Sequence, residues 1–211
     1  MIGLVGAGVL TLGACDDDVE GVITNLEFTG DFQALNSSGV NGIVDVITDD
    51  VENEFIVSVE AGELAPEITH AQHIHAAGQC PTMEDDANGD GYLDVIEGLP
   101  SYGGILIPLD SNLPDQAAGD FPIADASGIV DYRNSTTFTS LIAGIEGEDS
   151  DIYAELAENE ALLPESRTVV LHGVLPSTEL PESVASLAGL PSNVTLPVAC
   201  AELERKPARN P

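Results

Sequence analysis

Short β-rich segments separated by glycine- and proline-containing turns recur along this chain and constrain its fold more than any other feature. This pattern is typical of an antiparallel sandwich or barrel. We therefore predict an all-β fold with long loops and one or two short helices. The predicted strands cover residues 21–28, 42–47, 54–59, 71–75, 104–109, 128–132, 137–142, 168–172 and 194–200, and the predicted helices cover 150–163 and 182–190.

The composition is compatible with one folded domain. The chain has 211 residues, of which 43% are hydrophobic, which is ample for a core and excludes a disordered acidic tail. Aromatic residues amount to 4% and tryptophan is absent, so we expect a core of valine, isoleucine, leucine and alanine. We assign the domain to residues 21–203, followed by a C-terminal tail at 204–211.

The charge of the chain is strongly one-sided. Five lysines and arginines stand against 37 aspartates and glutamates, which gives a formal net charge of -32. A field of this sign repels phosphate backbones and anionic headgroups, which excludes nucleic acid as a partner and charge-driven docking on lipid. It favours divalent cations, cationic partners or a saline habitat.

The N-terminus predicts export. Residues 1–14 are apolar and uncharged, and they are too short to span a bilayer, which needs about 20 residues. They fit the apolar core of a signal peptide, although no basic residue precedes them. They end in Leu12-Gly13-Ala14-Cys15, which resembles the bacterial lipobox and implies cleavage before Cys15 and lipidation of its thiol. Residues 15–20 then form an acidic tether, and the alternative is a buried N-terminal element.

Export bears on the remaining cysteines. If Cys15 carries lipid, Cys80 and Cys200 are left as a pair, and an oxidising compartment favours a disulfide between them. Two unrelated buried thiols are the alternative.

Residues 86–97 match a calcium-binding loop at every position. They read Asp-Ala-Asn-Gly-Asp-Gly-Tyr-Leu-Asp-Val-Ile-Glu, which fits D-x-[DN]-x-[DN]-G with glutamate at position twelve. Calcium takes about six to eight oxygen ligands, and this one segment supplies them. The predicted ligands are the side chains of Asp86, Asn88, Asp90, Asp94 and Glu97 and the backbone carbonyl of Tyr92. An acidic surface turn is the alternative.

The flanks of this loop differ from those of a paired calcium sensor. Residues 80–82 leave no room for a full entering helix, and the Gly-Leu-Pro run at 98–100 is expected to end the exiting helix. We therefore predict an isolated calcium loop that orders a long connection.

Histidines form the second candidate site. Three of the four lie close together, at His70, His73 and His75. Alternating residues of a strand point to the same face, so His73 and His75 can offer ring nitrogens to one metal. His172 supplies a third ligand if its strand is a neighbour, and His70 is a further candidate. Imidazoles suit copper or zinc, while structural histidines bonded to backbone carbonyls, or a surface cluster, are the alternatives.

These residues resemble the copper–zinc superoxide dismutase family. The likeness consists of His-Ile-His at 73–75, Gly-Gln-Cys at 78–80, Val-Val-Leu-His at 169–172 and Val-Ala-Cys at 198–200. It implies a Greek-key barrel, copper on His73, His75 and His172, and a disulfide between Cys80 and Cys200. Residues 28–75 are also similar to a CHRD domain, itself similar to the dismutase barrel, with Phe-Gln-Ala-Leu at 32–35 and Ala-Gln-His-Ile-His at 71–75.

Departures from the dismutase pattern bear on activity. No histidine lies between Cys80 and His172, so the bridging and zinc-binding histidines of that family have no counterpart, and Pro197 stands where the family places an arginine that guides superoxide. We therefore expect a non-enzymatic, exported CHRD-like lipoprotein, facing the periplasm or cell surface, that binds calcium at 86–97 and copper at the histidines. A copper-only superoxide dismutase and a structural or adhesive surface domain are the alternatives.

Overall fold

Two antiparallel sheets form the fold in the computed structural model, which describes residues 25–49, 51–115, 119–147, 165, 167–187 and 189–207. The predicted signal peptide, Cys15, the tether and the predicted helix at 150–163 lie outside these residues. In the described part of the chain, no helix has both the length and the apolar character needed to cross a bilayer.

The described residues contain ten strands and three α-helices. The strands are β1 (Asn25–Asp31), β2 (Gln33–Ala34), β3 (Asn41–Asp49), β4 (Glu54–Gly62), β5 (Gln72–His75), β6 (Ile105–Pro108), β7 (Val130–Thr137), β8 (Thr168–His172), β9 (Pro197–Glu202) and β10 (Glu204–Arg205). The helices are α1 (Val95–Tyr102), α2 (Phe138–Gly147) and α3 (Ser192–Thr195), and a 3-10 turn covers Met83–Asp85.

The sheets have five strands each, in the orders β10-β1-β3-β4-β7 and β2-β9-β8-β5-β6. All neighbouring strands pair antiparallel. The chain passes from one sheet to the other repeatedly, for example between β4 and β5 and between β7 and β8. The predicted all-β antiparallel sandwich with few short helices is therefore confirmed.

Alternation along the strands of the first sheet creates the core. Val44 and Val46 on β3 and Val57 and Val59 on β4 are buried, while the residues between them face outward. A strand with one apolar face buries that face against a second layer. The second sheet supplies Ile74, Val169, Leu171, Val198, Ala199 and Ala201 to the same core.

Strands β5 and β8 are buried on both faces, which sets the second sheet apart from the first. Residues of the connection between β5 and β6 cover their outer face. There Leu93 and Tyr102 pack with Leu35, Val170 and Cys200 in a second, smaller apolar cluster. The histidine-bearing strands therefore run between two apolar layers.

The predicted disulfide between Cys80 and Cys200 is present and joins residues 120 positions apart. It ties the start of the β5–β6 connection to β9, beside the smaller apolar cluster. The exposed backbone amide of Cys80 also donates to the Glu202 carboxylate, at 2.8 Å. The connection is thus held to the sheet next to the histidine strands.

The prediction of a strand at 137–142 is wrong beyond its first residue. Strand β7 runs to Thr137, and helix α2 starts at the next residue. The reason lies in the spacing of Leu141 and Ile145, which are four residues apart and both buried against the core. Asn53 supports the start of the helix, since its side-chain oxygen accepts the backbone amide of Thr139 at 3.0 Å.

The region predicted as a helix at 182–190 contains no helix among its described residues. Its polar groups are committed to tertiary contacts instead. The Ala185 amide donates to Asp94 at 2.7 Å, and the Ser183 hydroxyl donates to Asp90 at 2.6 Å. These contacts dock the segment against the 86–97 loop.

Two further boundaries differ from expectation. Helix α1 passes through Pro100 and does not end there. Proline removes one hydrogen bond of the helix, but Asp94 caps the first turn and the Gly103 amide donates to the Leu99 carbonyl at 2.8 Å, and these contacts hold the helix. The predicted tail also contributes to the sandwich. Strand β10 pairs with β1, and Lys206 beyond it forms an ion pair with Asp45.

Replacing both bridged cysteines, Cys80→Ala with Cys200→Ala, is expected to lower the free energy of unfolding by roughly 4–5 kcal/mol. The reason is that the unfolded chain gains the entropy of a long open loop. Urea denaturation of the oxidised protein and of the double variant measures the difference. The reduced wild-type protein serves as the control, and equal midpoints for all three samples would contradict the expectation.

Candidate metal centre

The pairing of β5 with β8 brings three histidines together. His73 and His75 flank Ile74, which points into the core, so both rings lie on the outer face of the sheet. His172 ends β8, and its amide donates to the Ala71 carbonyl at 2.8 Å. One potential ligand nitrogen from each ring lies within 4.8 Å of the others. The predicted group of His73, His75 and His172 is therefore assembled by the fold.

Backbone carbonyls orient two of the three rings. His75 Nδ1 donates to the Gly103 carbonyl at 2.9 Å, and His172 Nδ1 donates to the Thr195 carbonyl at 2.8 Å. A carbonyl oxygen only accepts, so in a neutral ring the proton sits on Nδ1. The Nε2 atoms of His75 and His172 then carry free lone pairs.

Three of the four remaining ring nitrogens are buried and have no hydrogen-bond partner within the described part of the chain. They are Nε2 of His75, Nε2 of His172 and Nδ1 of His73. A buried polar atom without a partner costs about 1–3 kcal/mol. One nitrogen of each ring lies within 4.8 Å of the others, and the tautomers of His75 and His172 leave their Nε2 atoms unprotonated, as a metal ion requires of its nitrogen ligands, so the residues present fit a metal.

Aromatic contacts pack the rings closely. The centroids of His73 and His172 are 5.4 Å apart, and those of His73 and His75 are 5.7 Å apart. Tyr102 tilts against His75 with centroids 4.5 Å apart, and Phe121 meets His73 edge-on at 5.2 Å. These neighbours leave the rings little freedom to turn.

Burial holds all three rings in the neutral form. Desolvation lowers the pKa of His75 to about 3, with a smaller contribution from His172, and it lowers the pKa of His172 to about 4 against the opposing bond to Thr195. The pKa of His73 also lies well below its ordinary value, first because of burial and then because of the two other rings. The neutral imidazole is the form that binds metals.

His70, which sequence reasoning offered as a further ligand, lies outside this group. Its side chain is fully buried, and both ring nitrogens contact backbone carbonyls. Nδ1 lies 2.9 Å from the His172 oxygen and Nε2 lies 2.9 Å from the Ala65 oxygen. The geometry gives His70 a structural role, fastening the 65–70 segment to the end of β8.

The 86–97 loop turns tightly around its own backbone. Gly89 and Gly91 adopt φ angles of 73° and 89°, a left-handed conformation that favours glycine. Both backbone amides donate to Asp86, at 2.8 and 2.9 Å. The glycine that the calcium-loop pattern specifies at position 91 therefore adopts a conformation that other residues rarely adopt.

The other predicted ligands of the loop also point their oxygens at backbone amides. Asn88 accepts from Asp90 and Asp90 accepts from Tyr92, while Glu97 reaches back to the amides of residues 87 and 88 at 3.0 and 3.1 Å. Asp94 caps helix α1. Among the described His, Cys, Asp and Glu side chains, the group whose ligand atoms all lie within 4.8 Å of one another is His73, His75 and His172. Calcium binding by the 86–97 loop therefore stays a prediction.

Several residues that contact the histidine rings could not be recognised from the sequence. The Gly103 and Thr195 carbonyls belong to the backbone, which every residue has, and they come from segments 28 and 23 positions from the histidines they orient. Phe121 and Tyr102 are ordinary aromatic residues in sequence. Their contact with the rings is produced only by folding.

Comparison with known proteins adds no family assignment. The chain matches no family model, and no curated protein matches it.

The metal-free protein is expected to lose stability as the pH falls below 6.5, the ordinary pKa of histidine. Below this pH the unfolded chain protonates its histidines while the buried rings stay neutral, so the free energy of unfolding falls by about 1.4 kcal/mol per pH unit for each ring. The contribution of His172 ends near pH 4, where the folded protein also takes up its proton.

Urea denaturation between about pH 7 and pH 5 tests this, with His73→Leu as the comparison. The carboxylates titrate equally in both proteins, so the variant is expected to show a shallower pH dependence by up to one proton. Identical slopes for the two proteins would contradict buried, neutral histidines.

Proposed function

We propose that this protein is an extracytoplasmic metal-binding protein that holds one copper ion on His73, His75 and His172. The observation that carries the proposal is a group of three buried histidines in which one nitrogen of each ring lies within 4.8 Å of the others, and in which each ring has a buried nitrogen without a hydrogen-bond partner among the described residues. When bound, copper would supply a redox-active cation at this place. The chain's own residues hold the rings neutral, oriented and largely shielded from water.

The donor set favours copper over harder cations. All three donors are imidazole nitrogens, with no carboxylate in the group, and this excludes the oxygen-rich environment that calcium and magnesium require. Copper also stands above zinc in the general order of affinity for nitrogen sites. Zinc shares a preference for imidazole and is therefore the competing ion in the test.

The net negative charge of the protein favours copper binding without enzymatic turnover. With a net charge of -32, the surface repels an anion such as superoxide and raises the local concentration of cations. Pro197, where the resembling family has a guiding arginine, provides no compensating charge. Copper storage or delivery by a CHRD-like domain follows, in preference to superoxide dismutation.

The purified protein is expected to retain one copper per chain after dialysis against equal trace amounts of copper and zinc. His172→Ala removes one of the three ligands and is expected to abolish stoichiometric binding. Metal content by mass spectrometry gives the count. His70→Gln is the control for the loss of a buried histidine outside the group. The ring nitrogens of His70 contact the backbone carbonyls of Ala65 and His172, and the variant is expected to keep one copper per chain. Zinc in place of copper, or copper retained by His172→Ala, would contradict the proposal.

A second proposed function is calcium binding by residues 86–97. The specific support is the agreement of every position that the calcium-loop pattern specifies, together with the left-handed conformation of Gly91 and the helix cap at Asp94. Calcium in this loop would order the connection that covers the histidine strands.

Calcium at about a hundredfold excess over its dissociation constant is expected to raise the Tm by about 5–10 °C relative to the chelator-treated protein. The reason is that calcium binds the folded loop and has no comparable site in the unfolded chain. Glu97→Gln is expected to lose the increase, while Glu84→Gln, in the 3-10 turn just before the loop, is expected to keep it. The same Tm with calcium and with chelator would contradict the proposal.

The site of action is proposed to be outside the cytoplasm. A disulfide between Cys80 and Cys200 is consistent with an oxidising compartment. Anchoring through a lipid on Cys15 rests on the lipobox-like sequence. Mass spectrometry of the N-terminus from the native host tests it, and an unprocessed terminus would contradict it.

A further inference from the structure

Asp94 is a buried carboxylate connected to both carbonyls that orient the metal-binding histidines. Its side chain is 1% exposed. Oδ1 accepts the amides of Ile96 and Glu97 at 2.8 and 3.0 Å, and Oδ2 accepts the amide of Ala185 at 2.7 Å. One carboxylate thus joins helix α1 to the segment that follows residue 180.

The first connection runs through α1 to His75. Asp94 caps the N-terminus of this eight-residue helix, and Gly103 caps the C-terminus. The Gly103 carbonyl accepts the Nδ1 proton of His75. Tyr102, the last residue of the helix, packs on the same ring and donates its hydroxyl proton to the Val95 carbonyl at 2.9 Å. A displacement of α1 therefore moves both groups that hold the His75 ring.

The second connection runs through Ala185 to His172. The residue after Ala185 is Ser186, whose hydroxyl lies 2.8 Å from the Thr195 hydroxyl. Thr195 is buried, and its carbonyl accepts the Nδ1 proton of His172. Asp94 is therefore also connected, through Ala185, Ser186 and Thr195, to the carbonyl that orients His172.

We propose that Asp94 is a positioning residue of the histidine centre and sets its affinity for metal through these two connections. This inference rests on the proposed metal-binding function. The ring of His73 is held differently, by contacts with Phe121 and the other two histidines of the group. Asp94 therefore acts on two of the three copper ligands, and it does so without itself contacting the copper.

The size of the effect follows from what such supports do in metal sites. The partner that accepts the second ring proton of a ligating histidine fixes its tautomer and direction, and disturbing such partners lowers metal affinity by about 10- to 100-fold. Because Asp94 acts on the two carbonyls only through helix α1 and through Ser186 and Thr195, the lower end of this range is expected.

Asp94→Asn is the informative substitution. The asparagine keeps a carbonyl oxygen to cap α1 but places an amide group opposite the Ala185 amide, so that two donors face each other. We expect about tenfold weaker binding of copper, measured by competition with a chelator. We also expect an altered electron paramagnetic resonance spectrum of bound Cu(II), which a loss of folding stability alone would not produce.

Two serine variants isolate the connection to His172. Ser186→Ala breaks the link to Thr195 without touching the 86–97 loop, and it is expected to weaken copper binding and alter the spectrum in the same direction. Ser183→Ala is the matched control. It removes the contact with Asp90 in the same segment, outside both connections, and it is expected to bind copper as the wild type does.

All proteins are compared in the same excess of calcium, with urea denaturation to confirm that each is folded. A folded Asp94→Asn protein with wild-type copper affinity and spectrum would overturn the inference. If that variant does not fold, Ser186→Ala decides, and wild-type behaviour of Ser186→Ala would overturn it. An equal loss in Ser183→Ala would also count against it. Failure of the wild-type protein to bind copper would overturn the proposed function itself, which is a distinguishable result.

Discussion

The disulfide between Cys80 and Cys200 is the constraint on which the candidate metal centre depends. It attaches the start of a long connection to the outer face of the second sheet. That connection then lays Leu93 and Tyr102 over the sheet, beside Val170. Without this cover, β5 and β8 would expose one face to water, as the strands of the first sheet do, and the histidine rings would be solvated.

Burial of uncharged rings is what turns a histidine cluster into a candidate metal site. Water satisfies the second nitrogen of an exposed histidine. Here carbonyls satisfy one nitrogen of His75 and of His172, and the other nitrogen of each of these two rings has no partner among the residues that the structure describes. Desolvation lowers the pKa of each ring, so protons compete weakly for these nitrogens. The β5–β6 connection therefore supplies the carbonyl that orients His75 and part of the apolar cover that keeps water from the rings, while Thr195 supplies the carbonyl that orients His172.

Local pattern was sufficient to predict most strands and insufficient wherever a tertiary contact competed with it. The strand at 168–172 was predicted with its observed ends, since it is a short β-branched run. The residues around Leu141 were predicted as a strand but form a helix, because Leu141 and Ile145, four residues apart, both pack into the core. The residues around Ala185 read as a helix, but their polar groups bind the 86–97 loop. Propensity is a weak prior in both cases.

By itself, the sequence determined most of the strand pattern, and it named the candidate cysteine pair and the four candidate histidines, because these depend on residue type and on local pattern. The tertiary structure decided which histidines belong together. His70 lies three residues from His73, yet its nitrogens contact carbonyls, while His172 comes from a distant strand. It also decided that Asp94 connects to the carbonyls behind two of the rings. Backbone carbonyls are common to all residues, so only folding can select which ones a ring meets.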